Sequence, residues 1–333
     1  SVAEFHYLHH RPDGGRGPEM ARAVIEAADQ VGIRLLMLPV FYQHGGFGQD
    51  PGDRQQRFVH KEMDDYLGLL ESLHDVALGI APHSLRAVEP SSIPELDAAA
   101  RGILGDVFPR HIHISEQRSE VEECAARYGA TPIRLLADQV NLDPNWNLVH
   151  ATHAEHDELQ LMLETQVAAV LCPFTEAYLG DGIFPATSFV SNGGVTAIGS
   201  DSNVRIDVVG ELRLLEYGQR LNLRRRACLA TSEGLGAPLW RRATAGGASS
   251  LSMSVDGIRP GGHGDFVVLN PEAAPLQGLE EGNVLDALVT AGSADCFSAV
   301  YVGGKRLVER GRHVGEEAIA RRYARACMKL REE

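Results

Sequence analysis

The feature that most constrains the fold is a regular alternation of two hydrophobic patterns. Short apolar runs suited to strands occur at SVAEFHYL (1–8), IRLLMLPVFY (33–42), VALGIAPHSL (76–85), RHIHISE (110–116), NLVHAT (147–152), VAAVLCP (167–173) and VTAIGSDS (195–202). Between most of them lie stretches with apolar residues at helical spacing, such as PEMARAVIEAADQVG (18–32). Strands that alternate with helices build parallel βαβ units. Seven such strands fall one short of an eight-stranded α/β barrel.

Residues that carry chemistry gather at the C-terminal ends of these runs: Tyr7, His83, His113 with Glu116, His150 and Asp201. In a TIM-like barrel the βα loops converge at that end and form the active site. A doubly wound open sheet also binds ligands at its carboxyl edge. It does not usually bring five strand ends to one point, so the barrel is the expected fold.

Beyond residue 205 the pattern changes. Residues 210–234 read as helical. DFVVLN (265–270), VLDALV (284–289) and SAVYVGGKRLVERGRH (298–313) read as short antiparallel strands, with a hairpin at Gly303-Gly304. A charged helix is expected over about 316–331. The resulting division is a barrel over 1–250, a small β subdomain over 251–315 and a C-terminal helix over 316–333. GGRG (14–17) and HGGFGQDPGD (44–53) are expected to be loops over the barrel mouth.

A chain of 333 residues is long enough for this arrangement. Its net charge of −14 argues against nucleic acid and anionic membrane as partners, since both demand a basic surface. No run of eighteen apolar residues suggests a membrane span, and the first residues lack the pattern of a signal peptide. Cys124, Cys172, Cys228, Cys296 and Cys327 are far apart and form no C-x-x-C, which suits reduced thiols in a cytoplasmic protein. Each reads as a small core residue.

In a strand, His111 and His113 point to one face. They are either metal ligands or hydrogen-bonded core residues. Glu116, just past the strand, could move protons for a metal-activated water. His150 ends the next strand, and Thr152 or His153 could stand near the cap of the following helix. Asp201 is either a site carboxylate or the N-cap of the next helix. Two histidines and an aspartate from strand ends form a donor set that suits zinc. Arg86 follows His83 closely and could pair with a carboxylate of the substrate; the alternative is a surface arginine. Glu176 and Asp181 are open to a structural or a functional reading. LRRRA (223–227) reads as a solvated helix face.

IHISE, LVHAT, CPFTEAYLGDGIFP and IGSDS, in this order, resemble the amidohydrolase superfamily, in its branch of aminohydrolases that act on C=N bonds. EFHYLHHRPDG (4–14), HSLRAV (83–88) and ELRLLEYGQRL (211–221) look like the formimidoylglutamate deiminases of histidine degradation. The resemblance spans nearly the whole chain and implies one divalent metal, zinc, held by His113 and Asp201. It implies that Glu116 shuttles a proton, that His150 orients the attacking oxygen, and that Asp201 also accepts the water's proton. His83, Arg86 and Tyr7 would contact a small acidic substrate, and His111 would be structural. The expected assembly is a homodimer.

One departure stands out. The superfamily has another H-x-H at the end of the first barrel strand, which supplies two more ligands. Here the single H-x-H is His111-Ile112-His113. The sequence reading is therefore a chain that begins in the equivalent of strand two and is a poor enzyme by itself. A deaminase of a purine-like base and a non-catalytic descendant are the competing readings.

Overall fold

A computed structural model describes residues 1–11, 14–254 and 257–332. Pro12 and Asp13 of the EFHYLHHRPDG stretch lie outside the described residues. So do Val255 and Asp256 of the expected β subdomain and Glu333 of the expected terminal helix.

Seven parallel strands follow one another in chain order: β1 (Val2–His6), β2 (Leu35–Phe41), β3 (Ala81–Pro82), β4 (Arg110–Ile114), β5 (Trp146–His150), β6 (Ala168–Leu171) and β7 (Val195–Ile198). They form two runs, β1-β2-β3 and β4-β5-β6-β7. A parallel bridge between Ile80 and Arg110 joins the runs. Among the described residues no ladder joins β7 to β1, but Phe5 of β1 packs against Val149, Val170, Cys172 and Ala197 inside the barrel. The run at 76–85 is mostly not strand. Pairing there is reduced to Ala81–Pro82 and bridges at Leu78 and Ile80.

Helices α1 (Glu19–Val31), α2 (Met63–Ser72), α3 (Ile93–Leu104), α4 (Arg118–Tyr128), α5 (Pro132–Gln139) and α6 (His156–Thr165) connect the strands up to β6. Next come α7 (Pro173–Leu179), α8 (Ala186–Ser191), α9 (Val208–Leu223) and α10 (Gly236–Ser250). Gly32 stops α1 in the left-handed conformation, at φ 83°. The main core lies between helices and sheet, with Trp146, Ile112, Leu148, Ala169, Leu171 and Phe189 fully or almost fully buried. Close contact of α10 with β7 depends on Gly246, where a Cβ would sit 1.9 Å from the Thr196 carbonyl oxygen.

A second sheet is antiparallel: β8 (Phe266–Leu269), β9 (Phe297–Val302), β10 (Lys305–Glu309) and β11 (Arg312–His313). Gly303 and Gly304, both at positive φ, turn β9 into β10 as the sequence suggests. Helix α12 (Glu316–Glu332) follows.

Some local expectations need correction. VLDALV is not a strand but part of α11 (Val284–Ala291). Val284, Leu285, Leu288 and Val289 recur at helical spacing, and Leu288 and Val289 are buried. The helix expected over 210–234 ends at Arg224, which takes a left-handed φ of 53°. Its arginines are solvated as expected, but Arg225 and Arg226 lie in a loop rather than on a helix face. The cap of α6 is Glu155, whose amide donates to Glu158, with Thr152 and His153 just ahead of it as expected. Four cysteines are buried as expected, whereas Cys327 on α12 is only half-buried.

Candidate active site

Strand ends β4, β5 and β7 deliver the chemistry. At each, a non-glycine residue takes left-handed backbone: Ser115 at φ 49°, His150 at φ 68° and Asp201 at φ 41°. Such conformations cost about 1–3 kcal/mol each and persist where surrounding structure over-determines them. At Ser115 a buried carboxylate supplies part of that restraint, and two more hold the end of β6 and the start of α7. Glu120, on α4, accepts from the amides of Ser115 (3.2 Å) and Glu116 (2.9 Å). Glu176, on α7, accepts from the Cys172 amide at 2.9 Å. Glu211, on α9, accepts from the Phe174 amide at 2.9 Å, and burial pushes its carboxyl up to about 7.

His113 Nδ1 lies 3.0 Å from the His83 carbonyl oxygen. A carbonyl only accepts, so Nδ1 carries the proton and the lone pair of Nε2 is free. That Nε2 lies 3.7 Å from Asp201 Oδ1. His150 Nε2 lies 3.9 Å from Asp201 Oδ2 and 3.8 Å from Glu116 Oε1, and it is buried with no hydrogen-bond partner. Among the described residues, His113, His150 and Asp201 form the one group that brings three donor atoms within 4.8 Å of one another. The group offers imidazole nitrogen and carboxylate oxygen, the donor types that suit zinc. Asp201 caps no helix; Asp207 caps α9 instead.

Charge within the group is mutually arranged. Burial pushes Asp201 up, but the neighbouring His113 and His150 hold it below the usual carboxylate range. Burial pulls His150 down, and Glu176, Glu116 and Asp201 more than offset it.

The expected substrate residues surround the same point. The Tyr7 ring stacks 6.4 Å from that of His113, and the His83 ring lies 5.1 Å from it. Burial raises the Tyr7 hydroxyl well above its ordinary value, with Asp201 and Glu116 adding to the effect. Arg86 Nη2 donates to Glu116 Oε2 at 2.9 Å, so its nearest charge is the expected proton shuttle. Arg86 Nε is buried without a partner, a free donor suited to an anion. His111 is elsewhere occupied: its Nε2 meets the Ser250 carbonyl oxygen at 2.8 Å.

A second group of histidines flanks the site and eluded the sequence reading. His6, His9, His10 and His60 are buried together, with rings 4.3 Å apart for His9 and His60 and 5.3 Å apart for His6 and His9. His9 donates to the Val40 carbonyl and His10 to the Val59 carbonyl. Burial lowers His6 to about 4, His9 to about 2 and His60 to about 3. The signal was the density of histidine in FHYLHH, but His60 joins only through the fold.

Residues 1–307 match the amidohydrolase family. The formimidoylglutamate deiminase of Pseudomonas aeruginosa is 41% identical over 99% of this chain and 74% of its own length. The crystal structure of an amidohydrolase from Brucella melitensis superposes with a TM-score of 0.91 at 40% identity, covering 98% of this chain and 74% of that one. An adenosine deaminase from Xanthomonas campestris with bound zinc shares the fold, at TM-score 0.76 and 23% identity, covering 93% of this chain and 70% of that one.

Proposed function

The chain belongs to the amidohydrolase family, and from that premise we propose that it hydrolyses the C=N bond of N-formimino-L-glutamate to N-formyl-L-glutamate and ammonia. The convergence of His113, His150, Asp201 and Glu116 on one point, with both histidines buried, carries this reading. His113 and Asp201 would hold a zinc ion. When bound, zinc supplies Lewis-acid activation of water at neutral pH. Asp201, kept ionised beside two histidines, accepts the proton of the attacking water. In its doubly protonated form His150 keeps Nδ1–H on Glu176 and donates from Nε2 to the oxygen as the formimino carbon becomes tetrahedral. Glu116, 2.9 Å from Arg86, carries one proton of the water to the nitrogen, Asp201 returns the other as the carbonyl forms, and the nitrogen leaves as ammonia. Arg86 Nε, with Tyr7 and His83 beside it, receives a carboxylate of the substrate. Placement in histidine degradation, in the cytoplasm and as a homodimer belongs to the same proposal, as does the division into a barrel over 1–250, a β subdomain over 251–315 and a terminal helix.

The experiment is ammonia release by the purified chain with excess zinc, from N-formimino-L-glutamate and from guanine and adenosine. Faster release from the formimino substrate is expected. Faster release from a purine replaces the substrate assignment. A folded protein that takes up no zinc and releases no ammonia from any of them overturns the enzymatic reading.

A further inference from the structure

His150 meets carboxylates on both ring nitrogens. Nε2 faces Glu116 and Asp201 at 3.8 and 3.9 Å. Nδ1 lies 3.4 Å from Glu176 Oε1, on the opposite edge of the ring. Glu176 is itself buried, and its Oε1 also accepts from the Cys172 amide at 2.9 Å, which pins the carboxylate against the end of β6. Only the Glu176 contact is within hydrogen-bonding distance, and an ionised carboxylate only accepts, so Nδ1 carries a proton. This matters because β5 ends at His150 in left-handed backbone, where nothing in the strand ladder fixes the ring.

We propose that Glu176 is a positioning residue that ties the His150 ring through Nδ1–H and leaves Nε2 alone facing the reacting atoms. Its chemical purpose rests on the deiminase reading. Glu176 touches no substrate and acts through His150. Partners of this kind fix tautomer and ring orientation in many histidine sites. A glutamate serving only the Cys172 amide would leave the tautomer of His150 to the pocket.

The test is two-bond 1H–15N NMR of the histidine rings in the full chain, recorded up to about pH 9, with His150→Gln to assign the signal. Wild-type protein is expected to show a protonated Nδ1 at every pH, with a strongly low-field proton. Glu176→Gln preserves an acceptor oxygen and should retain that proton, shifted upfield. Glu176→Leu removes the acceptor and should move the proton to Nε2 once the ring is neutral. A wild-type ring with bare Nδ1, or a Leu variant that keeps Nδ1–H, refutes the proposal. If the Leu variant does not fold, a Gln variant with an unshifted proton refutes it equally. The readout stands whether or not the chain deiminates the formimino substrate, so the two readings fail separately.

Discussion

The histidines at 6, 9 and 60 should make the fold acid-labile, and His60→Asn measures the effect. In the folded chain these rings are neutral, at about 4 for His6, about 2 for His9 and about 3 for His60, against an ordinary value of 6.5. Below 6.5 the unfolded chain takes up protons that the folded chain refuses. Stability contributed by the neutral rings is therefore present above that value and lost as pH falls towards the folded values. Between pH 7 and pH 5 each ring shifts the balance towards the unfolded chain by about 2 kcal/mol, at about 1.4 kcal/mol per proton per pH unit. Together the three amount to about 6 kcal/mol, a large part of the roughly 5–15 kcal/mol that holds a domain folded. Glu211 and Asp181, both pushed up by burial, act in the opposite sense. Comparing one variant with the parent cancels such shared contributions. His60→Asn should cost stability at pH 7 through lost packing, and that deficit should shrink by about 2 kcal/mol at pH 5. Urea unfolding at pH 7, 6 and 5 reads it. A deficit constant to within about 0.5 kcal/mol across that range would falsify the neutral-cluster reading.

Other outcomes follow from the site and the packing. Arg86→Ala should raise KM for the formimino substrate about tenfold or more, the scale of a hydrogen bond to a charged group; a KM unchanged within twofold removes Arg86 from the substrate. His113→Ala and Asp201→Asn should each lower zinc bound per chain after dialysis, measured by elemental analysis, and equal retention by both variants and parent excludes them as ligands. Gly246→Ala should destabilise by about 1–3 kcal/mol, because its Cβ meets the rigid Thr196 carbonyl rather than a movable side chain. Unfolding midpoints that match the parent would mean that α10 can lift from β7 without cost.

Much of the site was legible because strand periodicity and strand ends are local. Hydrophobic runs announce β4, β5 and β7, and the polar residue that closes each run is marked by position alone: His113, His150, Asp201. Other features were not local. VLDALV is apolar enough for either element, and its contact with α9 and α10 decides for helix. Glu120 and Glu176 look like ordinary first-turn glutamates of helices, yet each reaches back to an amide at the end of the preceding strand. Arg86 was read as a partner for a substrate carboxylate or a surface arginine, and the fold adds Glu116 as a partner.

The sequence by itself determined the order and parallel topology of β1–β7 and the identity of the donors, since these depend on side-chain period and residue type along a few neighbouring positions. Tertiary structure decided which donor atoms face one another. It turned His113 by the His83 carbonyl, set Glu176 behind His150 and enclosed His60 with His6 and His9. Those outcomes depend on distances between segments far apart in the chain and on the loss of water between them. Neither quantity exists until the strands have closed around their core.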